Sequence, residues 1–223
     1  LQRLIDYIEQ VRSKVKVPVT TAETWDIWEK NPQLASHVDF LTIHILPYWE
    51  KVPIERYNEF IIEKYSVVEE LFPNRKIVIG ETGWPSHGYN NNKAVPSIKN
   101  QAQAIRGFVN LAHEKGWHYN IIEALDQPWK GYDEGNVGQY WGIFTTDRAL
   151  KFQLAGEVEL NKYWLYQMIA AIIIGALLTL FGLKNQRVNI SHAFAYAIAA
   201  QGMAFGIVMA AIYPFVNYMN FRS

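Results

Sequence analysis

Hydrophobic positions along the chain switch between two periods. Leu1, Leu4, Ile5, Ile8, Val11 and Val15 recur at helical spacing. The β-branched run at 17–23 (VPVTTAE) then reads as a strand, and 38–46 (VDFLTIHIL) as a second. From Pro53 the helical period returns. Ile54, Tyr57, Ile61, Tyr65 and Val68 share one face of a helix ending near Leu71, with Pro53 suited to its first turn. Residues 76–81 (KIVIGE) read as a third strand, followed by a polar loop. Ser97 is placed to cap a helix that runs to Lys115, and Gly116 to stop it. Residues 120–125 (NIIEAL) read as the fourth strand. Apolar strands alternating with amphipathic helices predict an α/β fold with a parallel sheet.

Two architectures fit that alternation, an open doubly wound sheet and a (β/α)8 barrel. A phosphate-binding Gly-rich loop would favour the first, and the sequence has none. Glu23, His44, Glu81 and Asp126 gather at predicted strand C-terminal ends, where barrel enzymes keep their chemistry. A full barrel takes ~250 residues. The segment 1–160 supplies four strands, half of that.

Beyond this segment the pattern changes again. Residues 163–183 and 193–216 are uncharged runs, each long enough for the ~20 residues that cross a bilayer. Tyr163, Trp164 and Tyr166 stand where interfacial aromatics belong. The expected organisation is a partial barrel at 1–160 and a two-helix transmembrane region at 161–223. The intervening linker, 184–192 (KNQRVNISH), holds Lys184 and Arg187 and no acid. Positive loops stay in the cytoplasm, which puts the barrel on the extracytoplasmic (periplasmic) side of an inner or plasma membrane. Lys151 and Lys162 count against that contrast, with Glu157 and Glu159 beside them. Gly202 and Gly206 form a small-xxx-small pair that suggests a helix contact. The first helix opens without a cap or entry segment, which leads us to expect an N-terminus further upstream.

Acids and bases balance at 21 each. This argues against nucleic acid as a partner, which calls for a basic excess or patch. The absence of Cys excludes disulfides and thiolate chemistry. His113, His118 and His192 are scattered, no His/Asp/Glu set has metal spacing, and neither metal nor cofactor is expected.

The candidate chemistry lies in I-V-I-G-E-T-G-W-P-S, residues 77–86. Glu81 ends an apolar strand and enters a turn containing Gly83 and Pro85. A carboxylate there can attack a sugar anomeric carbon. Flat aromatics stack on sugar faces, and Tyr48, Trp49, Trp84, Trp129, Tyr140 and Trp141 all lie just past predicted strands. Each of them taken alone is more often a core or interface residue than a sugar platform. His44 either orients substrate hydroxyls or is a packed core residue. Strand alternation puts Glu123 and Leu125 on one face and Ala124 and Asp126 on the other. Glu123 then either points into the barrel or is a hydrogen-bonded structural group.

The segment GETGWPS (80–86) resembles the strand-seven nucleophile signature of glycoside hydrolase family 17, the β-1,3-glucanases. ALDQPWK (124–130) and EGNVGQYWGIF (134–144) are similar to the strand-eight region of that family, HILPYW (44–49) to its strand-six end, and VPVTTAETW (17–25) to its strand five. The bacterial membrane-linked members, of the kind acting in β-glucan synthesis, are the most similar in style. The likeness covers about residues 1–155. It implies the C-terminal half of a (β/α)8 barrel and a retaining mechanism with Glu81 as nucleophile. It places the acid/base, the Glu of an Asn-Glu pair ending strand four, ahead of Leu1. Retention needs two carboxyl groups ~5 Å apart, so the chain would hold half of that pair.

The substrate-binding set implied is His44, Tyr48, Trp84, Glu123, Asp126, Trp129, Lys130, Glu134, Tyr140 and Trp141. Gln127 departs from the Glu found in many relatives. The expected function is a membrane-anchored retaining hydrolase of β-1,3-glucan. The alternatives are a β-glucan transglycosylase and a non-catalytic glucan-binding subunit of a membrane glucan synthase. The partners implied are β-glucan, the lipid bilayer, and a glycosyltransferase or further membrane segments. Half a barrel leaves open sheet edges, so residues 1–160 alone are expected to fold poorly.

Overall fold

A computed structural model describes residues 1–158 and 163–220, with side chains to residue 211. The chain forms two compact units, Leu1–Val158 and Glu159–Ser223.

In the first unit one four-stranded sheet is parallel throughout, in the order β1-β2-β3-β4. The strands are β1 (Ala22–Thr24), β2 (Leu41–His44), β3 (Ile77–Thr82) and β4 (His118–Ile121). Four helices accompany them: α1 (Gln2–Arg12), α2 (Trp25–Lys30), α3 (Tyr57–Leu71) and α4 (Ile98–Lys115). A helix lies between each strand and the next, as parallel neighbours require. The pleat sends Leu41, Ile43, Ile77 and Ile79 to the helix side, none more than 5% exposed. There they join Trp28, Ile61, Val68 and Phe108 in the main core. Full burial of each such aliphatic side chain stabilises by about 1.5–3 kcal/mol.

The other sheet face carries Thr42, His44, Val78 and Gly80. In a closed barrel this side is filled by layers of side chains from all the strands. Here it is a hollow of about 490 Å³ lined by Thr20, Phe40, Thr42, Lys76, Val78, His118, Tyr119 and Asn120.

The predicted strands are present; β1, β2 and β4 are shorter, and β3 keeps its length one residue further on. Residues 17–21 stay outside β1 because their polar groups are used elsewhere. The Val19 N–H donates to Asp39 Oδ2 at 2.6 Å, and Thr20 Oγ1 to the Phe40 carbonyl at 2.7 Å. The fourth strand lies at His118–Ile121 rather than 120–125. Beyond Ile122 the chain leaves β3 and bonds to 141–144 instead: Glu123 N to Trp141 O at 3.1 Å, and Phe144 N to Ala124 O at 2.9 Å. The strand alternation expected for Glu123 to Asp126 therefore does not apply. Pro53 precedes a 3-10 turn, Ile54–Arg56, and α3 begins only at Tyr57. The capping of α4 is as read: Ser97 Oγ accepts from Asn100 N at 3.0 Å. Gly116 takes the left-handed φ of +68° that closes the helix.

In the second unit, α5 (Trp164–Leu183) and α6 (Ile190–Asn220) pack together. Trp164–Leu183 and Ile190–Ala211 are long and apolar enough to cross a membrane. The helix contact expected at Gly202 and Gly206 is made elsewhere. A Cβ added at either would meet nothing within 4 Å. The close approaches are at Gly175, which lies against Gln201, and Gly182, which lies against Tyr196. Gln201 Nε2 donates to the Ala171 carbonyl at 3.0 Å.

Candidate active site

Glu81 owes its position to an irregularity at the end of β3. A regular pleat would send it with Ile77 and Ile79 toward the helices, but the register shifts after Ile79 and Glu81 comes to face His44. Ile77 and Ile79 anchor the strand in the core, and its last residues emerge at the C-terminal rim of the sheet. On β2, His44 pairs with Glu81 across a register shift. His44 Nδ1 lies 3.3 Å from Glu81 Oε2, with the two side chains 19% and 39% exposed. Gly80 makes this approach sterically feasible. A Cβ there would run into the Thr42 methyl and stand 2.9 Å from the His44 ring.

The turn after Glu81 is fixed at several points. Ile45 N donates to the Glu81 carbonyl at 3.0 Å. Thr82 is fully buried, its Oγ1 2.8 Å from Tyr57 Oη. Gly83 has no room for a side chain, because a Cβ would collide with the Ile122 carbonyl. Trp84 is fully buried and donates from Nε1 to the Val95 carbonyl at 3.1 Å. Ser86 N bonds the Tyr140 carbonyl at 2.8 Å. The result is a half-open carboxylate on a rigid base, with an imidazole at its side. That arrangement suits a nucleophile whose geometry must be pre-set.

A second polar group stands beyond the end of β4. Glu123 Oε2 pairs with Lys130 Nζ at 2.8 Å. Glu123 Oε1 is buried without a hydrogen-bond partner. Burial raises the Glu123 pKa above the ordinary carboxylate range, and Lys130 opposes that rise. Lys130 and the exposed Trp129 lie on the 3-10 turn Pro128–Tyr132. Glu134 follows it, its backbone N–H bonded to the Lys130 carbonyl at 2.9 Å.

Several residues of the expected sugar-binding set are buried. Asp126 is buried, and its Oδ1 accepts from Lys151 Nζ at 2.6 Å and Gly142 N at 3.0 Å. Burial raises the pKa of Asp126 and lowers that of Lys151, each partly offset by the other's charge. Tyr48, Trp84 and Trp141 are at most 1% exposed. They pack edge to face around Tyr48, whose hydroxyl donates to the Tyr89 carbonyl at 2.6 Å. These three side chains support the rim and present no face to solvent. Trp49 covers Trp141 on the outside, stacked at 5.9 Å. Tyr140 is half-buried against His87.

The structure therefore brings together Glu81 with His44, and Glu123 with Lys130. It commits Asp126 to Lys151, a residue that reads in the sequence as a charge near the membrane. The link between Tyr57 and Thr82 has no signal in the sequence either. Tyr57 fits a helix core position equally well whether or not its hydroxyl reaches a strand.

Residues 1–142 match the BtgE/BtgC glycoside hydrolase domain. The chain is 32% identical over 130 residues to "Probable beta-glucosidase btgE" of Aspergillus fumigatus, covering 57% of this chain and 22% of that protein. It is 28% identical over 163 residues to "Glucan 1,3-beta-glucosidase" of Schizosaccharomyces pombe, covering 69% and 50%. Among solved structures, it is similar to a glycoside hydrolase family 17 beta-1,3-glucanosyltransferase from Rhizomucor miehei. The TM-score is 0.61 at 27% identity, over 67% of this chain and 55% of that one. An active-site mutant of the same enzyme, in complex with laminaritriose, matches equally well. The chain spans half or less of the length of the two curated relatives. The parallel sheet with its helices accordingly corresponds to part of a (β/α)8 barrel, and the chain belongs to the BtgE/BtgC glycoside hydrolases of family 17.

Proposed function

We propose that this chain is the nucleophile-bearing half of a membrane-anchored, retaining glycoside hydrolase or transglycosylase acting on β-1,3-glucan. The observation that carries the reading is Glu81 itself. It is a half-open carboxylate at the end of β3, 3.3 Å from His44, on a turn held by buried neighbours. A Glu81 oxygen bonds the anomeric carbon as the glycosidic C–O bond breaks. The acid/base carboxylate, which family likeness assigns to strand four ahead of these residues, protonates the departing oxygen. Water or a sugar hydroxyl then attacks the anomeric carbon, gives its proton to that same carboxylate and frees Glu81.

The exposed Trp129 and the neighbouring Lys130, Glu123, Glu134 and Tyr140 are the groups proposed to meet sugar. The laminaritriose complex of the Rhizomucor miehei enzyme supports β-1,3-linked glucose as the substrate unit. The names of the relatives include both glucosidases and a glucanosyltransferase, so hydrolysis and transfer are both supported at family level.

The test is product analysis on laminari-oligosaccharides with the full-length protein and its Glu81→Gln variant. Products from the wild type alone establish Glu81 as nucleophile, longer products marking transfer and shorter ones alone hydrolysis. A variant as active as wild type would refute the assignment. Binding of glucan without turnover by wild type would establish the non-catalytic subunit reading instead.

Anchoring is read from α5 and α6, which are long and apolar enough to cross a bilayer, and an inner (plasma) membrane from the sequence resemblance alone. The basic loop with Lys184 and Arg187 supports a cytoplasmic linker and an extracytoplasmic barrel. Lys151 no longer weighs against this orientation, because its charge is buried with Asp126. Residues 1–223 include no Cys, so once any cysteine elsewhere in the full-length protein is replaced by Ser, single cysteines report sidedness directly. In intact cells Lys51→Cys should react with a membrane-impermeant maleimide and Asn185→Cys should not. The reverse pattern would invert the orientation.

A further inference from the structure

We propose that Lys151 is a positioning residue for the nucleophile, acting through Ser86 and Asp126 to hold the turn that carries Glu81. The inference rests on the assignment of Glu81 as nucleophile and extends it to a residue outside the signature.

The geometry is specific. A lysine ammonium has three N–H donors, and three acceptors converge on this one. Lys151 Nζ lies 2.6 Å from Asp126 Oδ1, 2.7 Å from Ser86 Oγ and 3.4 Å from the Tyr140 carbonyl. The Lys151 and Asp126 side chains are only 4% and 8% exposed. Ser86 accepts from Lys151 and donates its own proton to the Tyr140 carbonyl at 3.1 Å. Its backbone N–H bonds that same carbonyl at 2.8 Å. Gly142 N closes the network on Asp126 Oδ1.

Lys151 thereby joins three separate stretches of chain. These are the turn after β3, the segment after β4, and the 140–144 run that bonds to it. No residue of the turn does this alone. Thr82 ties the near end of the turn to α3 through Tyr57, and Ser86 ties the far end to Lys151. Glu81 emerges just before the first tie, and the four residues from Thr82 to Pro85 are all buried. Without Lys151, Ser86 keeps its two bonds to the Tyr140 carbonyl but loses its tie to Asp126, so the far end of the turn can shift with the 140–144 run and displace Glu81. A displacement of about 1 Å at a reacting group costs on the order of 10²-fold in rate.

The experiment uses the full-length protein and a 2-deoxy-2-fluoroglucoside with a dinitrophenolate leaving group. The Glu81 oxygen forms the ester to the anomeric carbon, and dinitrophenolate departs with the electron pair. This leaving group needs no protonation, so the labelling rate reads the nucleophile without the acid. Lys151→Met would leave Asp126 buried and unpaired, so the test variant is the double exchange Lys151→Met with Asp126→Asn, which removes both charges.

We expect this variant to fold cooperatively and to keep its KM within about threefold. Its kcat and its rate of covalent labelling at Glu81, followed by peptide mass, should both fall on the order of 10²-fold. Labelling at the wild-type rate with only a lowered Tm would overturn the proposal, as would a raised KM at unchanged kcat. If the double exchange does not fold, Lys151→Arg supplies the reading on the same scale. It keeps the charge but not the three-way fit, so unchanged labelling by a folded Lys151→Arg protein would also overturn it. Absence of any label on wild-type Glu81 would instead refute the nucleophile assignment, and the inference with it.

Discussion

Gly80 leaves the space that the His44 ring occupies: a Cβ on residue 80 would stand 2.9 Å from both Cδ2 and Nε2 of His44. The Thr42 methyl crowds the same Cβ, so the ring would have to shift and its 3.3 Å approach to Glu81 would change. We expect Gly80→Ala to lower kcat about 10- to 100-fold and to cost about 1–3 kcal/mol through overpacking. His44→Ala removes the imidazole without crowding the sheet. If Gly80 acts through His44, the double variant should lose little more activity than His44→Ala alone, a coupling that a double-mutant cycle on kcat measures. Losses that simply add would show that Gly80 serves the sheet and not the imidazole.

How much of this was legible in the sequence depended on the kind of signal. Helices α3 and α4 were readable because apolar spacing and the Ser97 and Gly116 ends agree. The place of Glu81 at a strand end was readable because a single strand carries both the apolar run and the carboxylate. The end of β4 was not. Local apolar content favours 120–125 as a strand, but hydrogen bonds to 141–144 draw that stretch away from β3, and such pairing leaves no periodic trace. The aromatic residues illustrate a second limit. Trp84 and Trp129 look alike in sequence, yet one is fully buried and the other 64% exposed. Only the packing around Tyr48 decides between support and surface. Lys151 was hidden for the same reason, since its partners lie 25 and 65 positions away.

Glu123 should give the fold a distinctive pH dependence. Its pKa is raised by burial in the folded state, so the native protein holds a proton that the unfolded chain releases. Stability therefore falls as pH rises from the ordinary carboxylate value of about 4.3 through the raised folded value, and is then level. Glu123→Gln has no proton to release and should lack this descent, although it also gives up the ion pair with Lys130. Tm recorded against pH for both full-length proteins checks the sign. A wild type that gains stability relative to Glu123→Gln over the same interval would mean that Lys130 outweighs burial and that the Glu123 pKa is lowered.

The two apolar helices carry a prediction that separates packing from composition. Gly175 and Gly202 are both glycines inside long apolar helices, and sequence alone favours Gly202, which has Gly206 four residues on. The structure reverses that order. A side chain at 175 would drive into Gln201 and displace its bond to the Ala171 carbonyl, whereas one at 202 meets open space. In mixed micelles, Gly175→Val should destabilise the helix pair by about 1–3 kcal/mol, and Gly202→Val should fall within about 0.5 kcal/mol of wild type. Gln201→Leu should lie between them, because interhelical hydrogen bonds in membranes contribute about 0.6–2 kcal/mol. Stability is read from reversible unfolding on titration with a denaturing detergent, followed by fluorescence energy transfer between labels on α5 and α6. Equal losses for Gly175→Val and Gly202→Val would show that the pair does not meet along the Gly175 face. A loss at Gly202 alone would restore the small-residue face of α6 as the contact.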